Sequence, residues 1–199
     1  MAWDVDAYAA MVRQGGAKGG GAERISDYAV QRGETLTLGQ AQALHASKSI
    51  IFQMLMHDRG LVPNPGVLAL MADARAQGIR LVSASSTSPE NIAAMFAATA
   101  PQLTPAMFDL VLTGADVARI KPAPDIYLLA LDRLKIAATD AVAIEDTLTS
   151  IPAATGAGIK VILVPGMIAK GQDSGDAVVT NSLLDIKDIA GIKALLNIT

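Results

Sequence analysis

The sequence predicts an α/β fold, a Rossmann-like parallel sheet core behind an N-terminal helical unit. Three observations carry that reading. From Asp4 to about Gly60 apolar residues recur at spacings of three and four, as in "AERISDYAV" and "GQAQALHASKSIIFQMLM", the period of amphipathic helices. After "RGLVPNPG" short apolar runs alternate with helical stretches, as parallel strands joined by crossover helices do. Of the 199 residues 51% are hydrophobic, which supports a sizeable core with a smaller accessory unit. The change of rhythm sets the expected division at residues 1–62, helical, and 63–199, α/β.

The elements follow in order. "VDAYAAMV", "AERISDYAV" and the longer run to Met56 are expected helices. The glycine-rich "QGGAKGGGAER" fits no phosphate-loop pattern and has no strand before it, so a flexible linker between two helices is expected. In the second half, "GVLALMADARAQ" is a helix with Pro65 in its first turn and Gly78 at its end. "IRLVSAS" is a strand, and "SPENIAAMFAAT" a helix capped by Ser88, with Pro89 and Glu90 in the first turn. "FDLVLTG", "AVAIED" and "IKVILVP" are three further strands, separated by helices over "APDIYLLALDRL" and "TSIPAATGAG", and one helix over "SLLDIKDIAGIKALL" closes the chain.

Charge and composition narrow the function. A net charge of −3 lacks the concentrated basic face that nucleic acid or an acidic membrane requires. With no cysteine there is no disulfide, thiolate metal site or cysteine nucleophile. The acidic N-terminus does not read as a signal peptide, and the longest apolar runs are far too short to cross a bilayer. A soluble, cytoplasmic monomer acting on a small molecule is expected.

Ligands of open parallel sheets bind where the carboxyl ends of the strands converge, which directs attention to Ser85, Thr113, the Glu145-Asp146 pair and the end of "KVILVP". Two adjacent carboxylates at a strand end repel one another without a cation, and hard oxygen ligands suit magnesium; the plain alternative is a solvated acidic turn. Lys121 stands before the rigid Pro122-Ala123-Pro124 turn, so its ammonium is held in place, although a surface lysine beside a loop has the same local sequence. Ser85, Ser86 and Thr87, with the free amides of the following helix, offer donors to phosphate oxygens, or serve only as caps.

In this order and at these positions, the stretches resemble the haloacid dehalogenase superfamily of phosphatases. "LVSASST" is similar to its second motif, "KPAPDIY" to its third and "AIEDTLTSIPAATGAG" to its fourth, and the "WDVDAY", "GG" and "ERISDY" stretches are similar to the helical cap of its CbbY-like sugar-phosphate branch. The resemblance implies that Ser85 binds the transferring phosphoryl group and Lys121 steadies its charge. Glu145 and Asp146 then hold Mg2+, and Ser86, Lys18 and Arg24 contact substrate phosphate.

One family feature is absent. The first motif, D-x-D-G-[TV], supplies an aspartyl nucleophile and a general acid/base at the end of a buried strand. Asp4 and Asp6 have the spacing, but only Met-Ala-Trp precedes them, and alanine stands where glycine would allow a sharp turn. They read as helix-start residues favourable to the helix dipole, and Asp116, Asp125 and Asp140 have no better context. The first core strand is therefore expected to be missing, between the strands ending at Ser85 and Asp146. Either those strands close up directly or the chain is part of a longer product. Two functions follow: a magnesium-dependent phosphatase of small sugar phosphates that is inactive as this chain, or a catalytically dead regulatory protein that binds sugar phosphate and metal. A phosphate-accepting receiver domain is disfavoured by the helical N-terminal region.

Overall fold

The computed structural model describes residue 10, residues 20–166 and residues 173–198. Asp4, Asp6, Lys18 and, Ala10 apart, the helix expected over "VDAYAAMV" lie outside the described residues.

Two helices form the first described unit. Helix α1, Gly21–Gln31, buries Ile25, Tyr28 and Ala29, and packs on the long helix α2, Leu38–Arg59. Thr37 opens α2 with a capping box: its Oγ1 accepts from the Gln40 amide at 3.2 Å, and its own amide donates to Gln40 Oε1 at 2.9 Å. Gly60, at φ 63°, lies in a region that disfavours side chains and ends the helix. The glycine-rich stretch is not linker to its end: Gly20 caps α1 and Gly21 begins it. A Cβ at Gly21 would fall 1.9 Å from the ring of His45 on α2, so glycine is what lets the two helices approach here.

The second half alternates as expected: α3 (Val67–Ala76), β1 (Val82–Ala84), α4 (Pro89–Thr99), β2 (Leu110–Leu112), α5 (Asp125–Leu134), β3 (Val142–Glu145), α6 (Ser150–Gly156) and β4 (Lys160–Leu163). Ser88 caps α4 through the Asn91 amide, with Pro89 in the first turn. Three details differ from the sequence reading. Pro65 lies in the turn before α3, whose cap is Gly66 at φ 92°. A short fifth strand, β5 (Val178–Val179), adds to β4. The closing helix is two, α7 (Leu183–Ile186) and α8 (Ile189–Leu196). The break falls at Lys187, whose backbone has turned to φ 68°, and Asp188 then caps α8 by accepting from the Gly191 amide at 2.8 Å.

All strand pairings are parallel, but they form two separate ladders, β1-β2 and β3-β4-β5. The alternation of side chains along a strand sends Val161 and Leu163 into a core with Leu112, Ile126, Tyr127 and Ala153, while Ile162 enters a second core with Leu70, Leu183 and Ile192. Val82 and Ala84 pack on the first core beside Ala143, and Leu81 packs on the second beside Val142. Shared cores on both faces make the two ladders parts of one sheet layer. Among the described residues β1 and β3 exchange no ladder bond, so these two strands have not closed up into one ladder.

Candidate functional site

The carboxyl ends of β1, β2 and β3 and the Lys121 loop build one cluster. After β1 the chain turns through Ser85, Ser86 and Thr87. The Ser85 amide donates to the Leu112 carbonyl at 3.0 Å, which fixes the turn to β2. Across it, the Gly114 amide donates to the Thr87 carbonyl at 2.8 Å, and a Cβ on Gly114 would lie 2.5 Å from the Ser86 carbonyl oxygen. Only a residue without a side chain permits that approach. Thr113, itself buried, opens the β2 turn with a capping box to Asp116.

Lys121 reaches the cluster on a stiff loop. Arg119 anchors the loop by two bonds to Asp125, at 2.7 and 3.1 Å, and the Lys121–Pro122 peptide is cis. The Lys121 amide donates to Ser86 Oγ at 3.1 Å. Its Nζ donates to the Ala84 carbonyl at 3.0 Å, the Tyr127 hydroxyl at 3.1 Å and Glu145 Oε1 at 2.6 Å. Both side chains of this ion pair are buried, 7% and 11% exposed. The Tyr127 hydroxyl also donates to Glu145 Oε1. Burial pushes the Glu145 carboxyl above the ordinary glutamate range; the charge and hydrogen bond of Lys121 and a bond from Ser150 oppose the rise, and the Asp146 charge adds to it.

Ser85 and Asp146 line one cavity of about 530 Å3, together with Thr87 and Asn91 and the apolar Phe52, Met56 and Met95. The cavity thus lies between the ends of β1 and β3 and reaches the helical unit. Asn91, buried, ties the two: its Oδ1 accepts from Gln53 Nε2 of α2 at 3.0 Å, and its Nδ2 donates to Thr87 Oγ1 at 3.1 Å.

The fold therefore brings Ser85, Ser86, Lys121, Glu145 and Asp146 into one neighbourhood. Arg24 lies elsewhere, on α1 near His45 and Lys48 of α2. Desolvation, then the Lys48 and Arg24 charges, lowers the His45 pKa, and desolvation, then Arg24, lowers that of Lys48. Sequence reasoning passed over Tyr127 and Asn91. Tyr127 lies six positions after Lys121 in the quoted third motif, the one signal that could have marked it.

Magnesium is bound through one or two carboxylates, with water and substrate phosphate completing an octahedron. Asp146, on the cavity wall, meets that chemistry. Glu145 is adjacent but has Oε1 committed to Lys121 and Tyr127, and no group of three His, Asp or Glu side chains suited to a metal exists among the described residues. The donors fit an ion held by Asp146 and Glu145 only when further oxygen ligands complete it.

Comparison with known proteins identifies the family. The family model of the haloacid dehalogenase-like hydrolases matches residues 2–158. Protein CbbY of Cereibacter sphaeroides is 34% identical over 192 residues, 96% of this chain and 81% of that protein. Protein CbbY of Rhodobacter capsulatus is 30% identical over 171 residues, 86% of this chain and 74% of that one. The crystal structure of an Asp-to-Asn mutant of CbbY from Rhodobacter sphaeroides, in complex with xylulose-(1,5)bisphosphate, superposes with a TM-score of 0.84 at 33% identity, covering 96% of this chain and 84% of the other. CbbY from the same organism in complex with phosphate gives 0.83 at 32%, covering 97% and 84%. With these matches the chain belongs to the haloacid dehalogenase-like hydrolase family.

Proposed function

We propose that the protein is a phosphoric monoester hydrolase of the CbbY-like branch, built to act on a small phosphorylated sugar with Mg2+. Ser85 and Ser86 receive the phosphoryl oxygens, Lys121 balances their charge, and Asp146 with Glu145 holds the ion. Residues 1–62 act as the cap over the α/β core of residues 63–199, with Lys18 and Arg24 contacting a substrate phosphate. The observation that carries this reading is the buried Lys121–Glu145 pair at 2.6 Å, set beside a cavity that Ser85 and Asp146 share. A fixed ammonium and oriented donors in a site of low dielectric stabilise an oxyanion far better than the same groups in water. The bisphosphate bound by the solved CbbY relative supports a phosphorylated sugar as the substrate class, and a cytoplasmic monomer is the setting proposed for it.

Hydrolysis by this family's route needs an aspartyl nucleophile, and Asp146 is the one carboxylate among the described residues lining the cavity. This polypeptide alone is therefore expected to give no turnover. That observation also favours the second reading, a sugar-phosphate and metal-binding regulatory protein. Phosphate release from xylulose 1,5-bisphosphate is measured with and without Mg2+. Robust magnesium-dependent release refutes the expected inactivity and leaves the hydrolase assignment standing. Absence of turnover with tight calorimetric binding of phosphate or Mg2+ selects the regulatory reading.

A further inference from the structure

The ammonium of Lys121 has three N–H donors and no acceptor. Among the described residues it meets three acceptors: the Ala84 carbonyl at 3.0 Å, the Tyr127 hydroxyl at 3.1 Å and Glu145 Oε1 at 2.6 Å. The protein itself therefore fills the hydrogen-bonding capacity of this group. The side chain is 7% exposed, so little solvent reaches a donor that is set free. An oxyanion that takes a hydrogen bond from this ammonium must displace one of the three acceptors.

The three are unequal. The Ala84 carbonyl belongs to β1, which its ladder with β2 holds in place. Parting from Glu145 leaves a buried carboxylate without its cation, the costliest of the three losses. The Tyr127 hydroxyl is neutral, and its own proton goes to Glu145 Oε1, a bond that does not depend on Lys121. Releasing the ammonium there costs one accepted hydrogen bond and leaves only an oxygen lone pair without a partner. A phosphoryl oxygen is ionised, and a hydrogen bond between two charged groups is stronger than one to a neutral hydroxyl. The exchange thus favours the oxyanion, by less than the full strength of the new bond.

We infer that Tyr127 sets the affinity of the site: its hydroxyl competes with a phosphoryl oxygen for one N–H of Lys121. The inference rests on the reading of Lys121 as the group that balances phosphoryl charge. Tyr127 acts through Lys121, as a positioning residue. Its ring is buried in the first core, with the centroid 4.8 Å from Lys121 Nζ. Tyr127→Phe keeps that ring, its packing and its attraction for the cation, and removes the hydroxyl alone.

Inorganic phosphate is titrated into the full chain and into Tyr127→Phe in metal-free buffer, with binding read by phosphorus NMR and stability by urea unfolding. The bond from Tyr127 to Glu145 is the same with and without phosphate, so its loss lowers stability and cancels in binding. The bond from Lys121 to Tyr127 is given up when phosphate binds, so its loss favours binding. The variant is expected to unfold at lower urea and yet to bind phosphate about tenfold more tightly, the worth of one hydrogen bond to a charged group. A merely structural tyrosine gives the lower stability without the tighter binding. Equal or weaker phosphate binding by the folded variant overturns the inference and leaves the reading of Lys121 standing. If the variant does not fold, the parent chain with tyrosine labelled with carbon-13 at Cζ decides the matter. Saturation with phosphate is expected to shift the Tyr127 signal, and an unmoved signal overturns the inference. No phosphate binding by the parent chain, or undiminished binding by folded Lys121→Met, contradicts the reading of Lys121 itself and overturns the inference with it.

Discussion

Ile144 on β3 and Ile162 on β4 are the same residue type in one register pair, and they live in different surroundings. Ile162 is enclosed between Leu70 of α3 and the residues of α7 and α8, while Ile144 is 39% exposed. The difference separates a strand with neighbours on both sides from one whose outer edge faces a seam. The candidate site lies on that seam. There the polar link between the two strands, β1 and β3, runs through Lys121, which bonds the Ala84 carbonyl and Glu145, and apolar cores pack on both faces, whereas the β3-β4 side has a backbone ladder as well.

Lys121→Met tests whether charge holds the seam. It strands Glu145 in a buried position, and the expected loss is about 4 kcal/mol in urea unfolding at neutral pH. The loss should shrink on acidification. Glu145 already has a raised pKa, and a carboxyl whose folded pKa lies above the unfolded one contributes stability below the unfolded value and loses it as pH rises through the folded value. Removing the ammonium widens that gap, so acid should restore the variant relative to the parent. Equal losses at both pH values would show that the pair is not a buried charge pair.

The two isoleucines give the next effect. Ile162→Ala is expected to cost about 3 kcal/mol, with Ile144→Ala costing under about 1 kcal/mol. Similar losses would break the comparison. Gly114→Ala drives a methyl group against the Ser86 carbonyl oxygen, and about 2 kcal/mol of destabilisation, with weaker phosphate binding, is expected. Asn91→Ala removes the link from Gln53 of α2 to Thr87; about 1 kcal/mol is expected, together with faster amide exchange in the Ser85–Thr87 turn. Asp116→Asn is the smallest, because the carboxylate that caps Thr113 is exposed, and a few tenths of a kcal/mol are expected. Thr113's hydrogen bonds hold the Asp116 pKa below its usual range, so the parent's advantage should be present above the ordinary aspartate pKa and vanish as pH falls through the lowered one.

Much of this was legible in the sequence, for identifiable reasons. Short apolar runs closed by turn residues gave β1 to β4, because strands buried on both faces leave that mark. The Ser88-Pro89-Glu90 start gave α4, because capping is local chemistry. Glu145 and Asp146 stood out as charges at the end of an apolar run. Other features are properties of the assembled chain. Val178–Val179 is too short to show a period, and Lys187 adopts its positive φ without the glycine that signals one. Tyr127 reads as a core residue at helical spacing, and only the fold brings its hydroxyl to Lys121 and Glu145. Asn91 sits three residues past a cap, and its partner Gln53 is distant in sequence.

The central claim is that Ser85 and Lys121 form one oxyanion site at the end of the seam. Its most direct test is a phosphorus NMR titration of inorganic phosphate with the chain, its Ser85→Ala variant and Lys121→Met, the last two first shown to be folded. The account expects saturable broadening of the phosphate line with the parent chain, weaker with Ser85→Ala and absent with Lys121→Met. Identical broadening with all three proteins, or none with the parent chain, would contradict it.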